Sequence, residues 1–373
     1  MAFSRGKSAI MAAAAAAVSM LALVTVSSRL HASAGTADAT SAGVATAVYD
    51  LGDAAFTDPA SGTVSEVRAV VHYPRQLDGR LPLIVMSHGS WSGCEPGAGG
   101  WPCPAGSHPF PSFRGYDYLG DALAARGFVV VSISADGINQ TSFDYADRDH
   151  LINHHLQLWQ QLADTGQGPL AGAFTDADTG RTVDPPFRGH VDLTDVGTLG
   201  HSRGGKGVMW QASDKHRAEW PAGVRVRAVV PLAPVKFDDP EGDDSDTVVT
   251  DIPFAVITGT CDGAVGEAGQ QYLTDVAGRN TTPVYAVSLR NANHDFFNTE
   301  WSVPHADLPD QADDSTCPAS ELNPDQQRTA TVAYLVAFYE RYLKNDPAAE
   351  PVLTGQSPLP GVTSDAHVQP PAR

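Results

Sequence analysis

The sequence predicts an α/β protein built on a mostly parallel sheet covered by helices on both faces. Three observations carry this. Short continuous apolar runs alternate with longer amphipathic ones along most of the 373 residues. The apolar runs are too uniformly hydrophobic for strands with one wet face, so both faces are buried. The hydrophobic content of 42% supports a large core and excludes disorder for the bulk of the chain.

Taken in order, VRAVVHYP (67–74) and LPLIVMSHG (81–89) read as strands. YDYLGDALAARG (116–127) reads as a helix closed by a glycine, and FVVVSIS (128–134) as a buried strand. DRDHLINHHLQLWQQLAD (147–164) is helical, with Leu151, Leu158, Trp159 and Leu162 near one face. A strand at 195–202 runs into a helix at 205–220. Strands follow at 224–234, 252–260 and 282–289, with helices at 266–278 and 325–343. Two irregular stretches, 90–114 and 165–188, are expected to be loops shaping a rim.

The ends have different characters. Arg5 and Lys7 precede the apolar run 9–26, and small residues follow at 32–35, so residues 1–34 are expected to be a signal peptide cleaved after Ala34. An uncleaved anchor is the alternative, since the apolar run is rather long. A polar leader runs on to about Ala45. Residues 35–345 form the expected catalytic domain, and the Pro-rich segment 346–373 an expected disordered tail. No later run is long and charge-free enough to span a bilayer, so stable membrane association is not expected.

The formal charge of −19 repels phosphate backbones, which excludes nucleic acid as an expected partner. Four cysteines, Cys94, Cys103, Cys261 and Cys317, form an even set in an exported chain and suggest two disulfides. Three connectivities are open. Cys94–Cys103 would close a short loop and leave Cys261–Cys317 as a long-range staple.

The chemistry concentrates in DVGTLGHSRGGKGVMW (195–210). Gly200, Ser202 and Gly204 form G-x-S-x-G between a strand and a helix. The glycines allow a tight turn that lifts Ser202 above the sheet edge, with the helix N-terminus behind it. A serine needs a base, and the base an orienting acid. His294 and Asp262 each lie just past a strand, at the same edge. Asp238 or Asp239 are alternative acids; His305 and Asp295 compete with His294. Arg203 supplies one expected oxyanion-hole N–H and Ser90 the second, with Trp91 as the alternative donor. His88 is expected to order the His88–Gly89 loop. Trp91, Trp101, Phe110 and Phe113 line an apolar pocket or pack the glycine-rich loop.

Other features are blander. His150 and His154 have i, i+4 metal-ligand spacing beside His155, but no third ligand pattern accompanies them, so no metal is expected. The acidic run 238–246 lacks a calcium-loop pattern and reads as solvated.

The GHSRGG elbow, the His88–Gly89 loop and the NHDFF segment (293–297) resemble the α/β-hydrolase superfamily. Within it they look like secreted bacterial serine esterases related to polyester hydrolases, chlorophyllases and platelet-activating-factor acetylhydrolases. The resemblance covers nearly all of the chain to about Leu343. It implies an eight-stranded α/β-hydrolase sheet, a triad of Ser202, Asp262 and His294, oxyanion donors Arg203 and Ser90, and no cofactor. The Cys-bearing loop after Gly89 departs from the shorter polyester hydrolases, so their aromatic clamp does not carry over. The implied activity is hydrolysis of short to medium acyl or polymeric esters by a secreted protein; the sequence leaves the oligomeric state open, with a monomer as the expectation. A short acidic connection between Pro234 and Ile252 argues against a lidded lipase. A serine peptidase, a thioesterase and a non-catalytic binding protein are the competing readings.

Overall fold

In the computed structural model, residues 43–95, 99–142, 144–236, 244–302 and 314–372 are described. The expected signal peptide (1–34), Asp238, Asp239, the acidic run up to residue 243, and His305 lie outside the described residues.

Ten strands form one sheet. In chain order they are β1 (Val44–Asp50), β2 (Arg68–Pro74), β3 (Leu81–Ser87), β4 (Val129–Ile133), β5 (Phe174–Asp176), β6 (Val191–His201), β7 (Val226–Leu232), β8 (Phe254–Gly259), β9 (Val284–Leu289) and β10 (Ser364–Gln369). Their spatial order is β10-β9-β8-β7-β6-β3-β4-β2-β1-β5. The six strands from β9 to β4 are mutually parallel, and the flanking pairs are antiparallel. The helices are α1 (Asp117–Ala124), α2 (Asp136–Gln140), α3 (Tyr145–Thr165), α4 (Arg203–Ala212), α5 (Gln271–Asp275), α6 (Pro324–Leu343) and α7 (Glu350–Leu353).

The period-2 alternation of the central strands divides the core between the two faces. Val71, Val85 and Val131 join Leu151, Trp159, Val208 and Met209 of α3 and α4 on one side. Ile84, Met86 and Val130 join Leu119, Leu335, Phe338 and Tyr339 of α1 and α6 on the other. The strands read as unbroken apolar runs because both sets are needed. α6 starts with a capping box, Asn323 accepting from the Gln326 amide, with Pro324 at its first position.

The sheet departs from the expected eight strands at its edges. β1 lies where the polar leader ends, and β5 is a three-residue strand inside the expected loop 165–188. The expected disordered tail contains α7 and β10, and β10 pairs antiparallel with β9 from Leu289↔Ser364 to Val284↔Gln369. Composition hides this strand. Asp365 and His367 face water while Ala366 and Val368 pack on the core, the alternation of a charged edge strand. The predicted helix 205–220 ends earlier, at Ala212.

Both cysteine pairs are disulfide-bonded, Cys94–Cys103 with Cα atoms 5.7 Å apart and Cys261–Cys317 with 5.5 Å. No described helix is long and apolar enough to cross a membrane.

Candidate active site

Because β3, β6, β8 and β9 run parallel, the segments after them meet at one edge of the sheet. β6 delivers Ser202, β8 delivers Asp262, β9 delivers His294, and β3 delivers Gly89 and Ser90.

Ser202 stands between β6 and α4 with φ 58° and ψ −122°, a backbone region that residues with a side chain rarely adopt. Neighbours over-determine it. Its N–H donates to the Leu232 carbonyl at 3.0 Å, and its carbonyl accepts from Gly205 and Val235 at 2.9 and 3.1 Å. The glycines around it permit backbone-to-backbone packing. A Cβ on Gly200 would overlap the Gly204 carbonyl, one on Gly204 the Ser87 carbonyl, and one on Gly89 the Ser202 side chain.

His294 Nδ1 lies 2.8 Å from Asp262 Oδ2. A carboxylate only accepts, so Nδ1 carries the proton and the ring presents Nε2 as its basic atom. The other Asp262 oxygen accepts from the amides of Ala264, Val265 and Gly266 at 2.9, 2.7 and 3.2 Å, which fixes the carboxylate plane. Burial pulls the His294 pKa down, but Asp262, assisted by Asp295 and Asp314, reverses this and holds it above the ordinary value of 6.5. Asp262, rather than Asp295, is the carboxylate paired with the ring.

A residue the sequence reading passed over ties these loops together. Asp314 accepts at Oδ1 from the His294 and Asp295 amides (2.8 and 3.2 Å) and at Oδ2 from the Gly263 and Ala264 amides (2.8 and 3.0 Å). One carboxylate thus bridges the loop carrying the acid and the loop carrying the base, beside the direct Cys261-to-Ala292 backbone bond of 2.9 Å. The Cys261–Cys317 disulfide and the Thr316-to-Cys261 backbone bond of 2.8 Å anchor the same segment.

The loop after β3 is held from beneath. His88 donates from Nδ1 to the Gly89 carbonyl and accepts at Nε2 from the Ala135 amide, both at 2.8 Å. Asn139 also donates to the Gly89 carbonyl, and Arg148 to the His88 carbonyl. Burial, with Arg148 nearby, lowers His88 to about 3, so it is a neutral structural group, as expected.

Ser202, His294, Ser90, Arg203, Trp91 and Asp314 line one cavity of about 540 Å³. The two residues expected to supply the oxyanion N–H groups therefore line the same cavity as Ser202 and His294. Of the four aromatics singled out in the sequence, only Trp91 lines it. Trp101 instead donates to the Asp53 carbonyl, while Phe110 and Phe113 are buried, Phe110 against Trp91. The second indole is Trp301, stacked on Trp91 at 5.2 Å and 9°. Trp301 also stacks on His294 and meets the His201 ring at a tilt of 31°, and the His201 and His294 ring centres are 4.5 Å apart. Burial first, and then His294, keep His201 well below its ordinary pKa, so a neutral ring backs the base.

The arrangement provides a serine on a strained turn, an imidazole oriented by a carboxylate, and amides at a helix start, all around one cavity. Such a set is chemically suited to nucleophilic acyl transfer. No protein-family model matches the chain, and no curated protein matches it in sequence.

Proposed function

We propose that the chain is an exported serine esterase with an α/β-hydrolase fold. The observation that carries this is the oriented pair His294–Asp262 at 2.8 Å, sharing a cavity with a serine held at φ 58°.

In the proposed reaction His294 Nε2 takes the Ser202 proton as Oγ attacks the ester carbonyl. The oxyanion is received by the N–H groups of Ser90 and Arg203. Collapse breaks the carbonyl–alkoxy bond, and His294 returns the proton to the departing alcohol. Water, deprotonated by His294, then attacks the acyl-enzyme and releases the acid. No cofactor enters this scheme. The cavity volume and the Trp91–Trp301 pair suit a short to medium acyl group or a segment of a polymeric ester. The two disulfides are compatible with an extracellular site of action.

Initial rates on p-nitrophenyl esters from acetate to palmitate test the reading, alongside labelling with a fluorophosphonate. Rates peaking at short to medium chains, with Ser202 as the labelled residue, are expected. Labelling without ester turnover would redirect the assignment to a peptidase or thioesterase, and absence of both would overturn the enzyme.

The pH profile has a definite sign. His294 acts as a base only when neutral, so kcat/KM rises with pH through its pKa. With that pKa held above 6.5, the half-maximal point is expected above pH 6.5. A limb centred on a carboxylate-like pH would contradict His294 as the base.

A further inference from the structure

The geometry points to a divalent-cation site of the zinc class formed by Asp149, His150 and Glu219, independent of the esterase reading. Asp149 and His150 are consecutive on α3, and Glu219 ends the 3₁₀ turn Arg217–Glu219. One potential ligand atom from each lies within 4.8 Å of the other two.

Each of the three is oriented by a partner that leaves one ligand atom facing the others. His150 Nδ1 lies 2.5 Å from Asp58 Oδ2, and the second Asp58 oxygen is taken by the Ala60 and Ser61 amides. Nδ1 therefore carries the proton, and Nε2 faces Glu219 Oε2 at 3.5 Å. Asp149 accepts from Asn153 Nδ2 at Oδ1, and Gln211 of α4 fixes that amide by donating to Asn153 Oδ1 at 3.0 Å. Glu219 Oε1 is held by His216 Nδ1 at 2.8 Å. A carboxylate behind a metal-binding imidazole, and hydrogen bonds behind the carboxylate ligands, are what ordinary metal sites place there.

The independent sign of a ligand is Asp149 itself. It is completely buried, its Oδ2 receives no bond from a nitrogen or hydroxyl donor, and the group the carboxyl meets is a second carboxylate, Glu219. An orphaned carboxylate oxygen of this kind costs several kcal/mol unless a cation or proton meets it. Two carboxylates neutralise a divalent ion, and the imidazole selects zinc-like ions over calcium. The cavity of about 730 Å³ lined by His150, Asn153, His154 and Glu219 gives ion and water access. The neighbouring trio of Asp58, Asp147 and His150 uses the imidazole nitrogen already committed to Asp58, so it makes the weaker site. The i, i+4 histidines suggested a pair without a third ligand; the fold instead brings a glutamate 69 positions further on to His150.

The test uses the untagged protein, stripped with chelator and titrated with zinc chloride by calorimetry, with zinc content after dialysis measured by mass spectrometry. One zinc per chain and a raised Tm are expected. Glu219→Gln and His150→Gln should each weaken binding at least about 100-fold, and Asp58→Asn by about 10- to 100-fold. Glu219 is partly exposed, so its variant retains the fold if His150→Gln does not. Three results would overturn the site: no saturable zinc binding at micromolar concentration, zinc binding unchanged in Glu219→Gln, or calcium displacing zinc at equal concentration.

Discussion

Ser202→Ala is expected to lower kcat on any ester substrate by about 10³- to 10⁶-fold, the range seen when a serine nucleophile is removed while binding and oxyanion contacts persist. Stability should stay within about 1 kcal/mol, because the backbone bonds to Leu232, Gly205 and Val235 are untouched. Ser202→Gly separates strain from chemistry. It should be equally inactive, yet more stable by about 1 kcal/mol, since glycine accepts φ 58° without steric cost. Urea unfolding beside initial rates checks both. Activity within tenfold of the parent in either variant would remove Ser202 from its role.

Asp262→Asn is expected to cost about 10⁴-fold in kcat with little change in KM. The amide can still accept at one atom from the Ala264, Val265 and Gly266 amides, so the loop keeps its shape. Its NH₂ would then face His294 Nδ1, which favours the tautomer with the proton on Nε2 and denies Ser202 its base. With the carboxylate gone, burial dominates the imidazole, and the residual activity should have its ascending limb at lower pH than the parent. A variant with parental kcat would make Asp262 a simple loop residue.

Much of the site was legible because its parts obey local rules. The elbow announces itself through glycines whose absent side chains prevent specific overlaps, and the central strands through continuous apolar runs. Asp262 and His294 follow from strand ends in a parallel sheet. Asp314 had no such signal. It sits in a polar stretch after a gap of twenty residues from His294, and only tertiary folding turns its carboxylate toward four amides. Trp301 was hidden likewise, being placed by its bond to Ser112 and its stacking on Trp91 rather than by any periodic pattern. The edge strands β1, β5 and β10 escaped because an edge tolerates polar residues that a buried strand does not.

The bridge between Cys261 and Cys317 adds a covalent tie, one that persists in oxidising surroundings, beside the Asp262–His294 pair. It closes a loop spanning 56 positions that contains His294 and ends beside Asp314, and one of its cysteines precedes Asp262. By chain-entropy reasoning such a closure stabilises by about 4 kcal/mol. With both thiols reduced, the segment after residue 314 is tied to the acid and base loops by hydrogen bonds, those of Asp314 and the Thr316 amide, with no covalent link. On the proposed function, a chain with this pair reduced is expected to hold its acid and base less firmly than the oxidised chain, so the compartment that preserves disulfides is also the one that favours the proposed reaction.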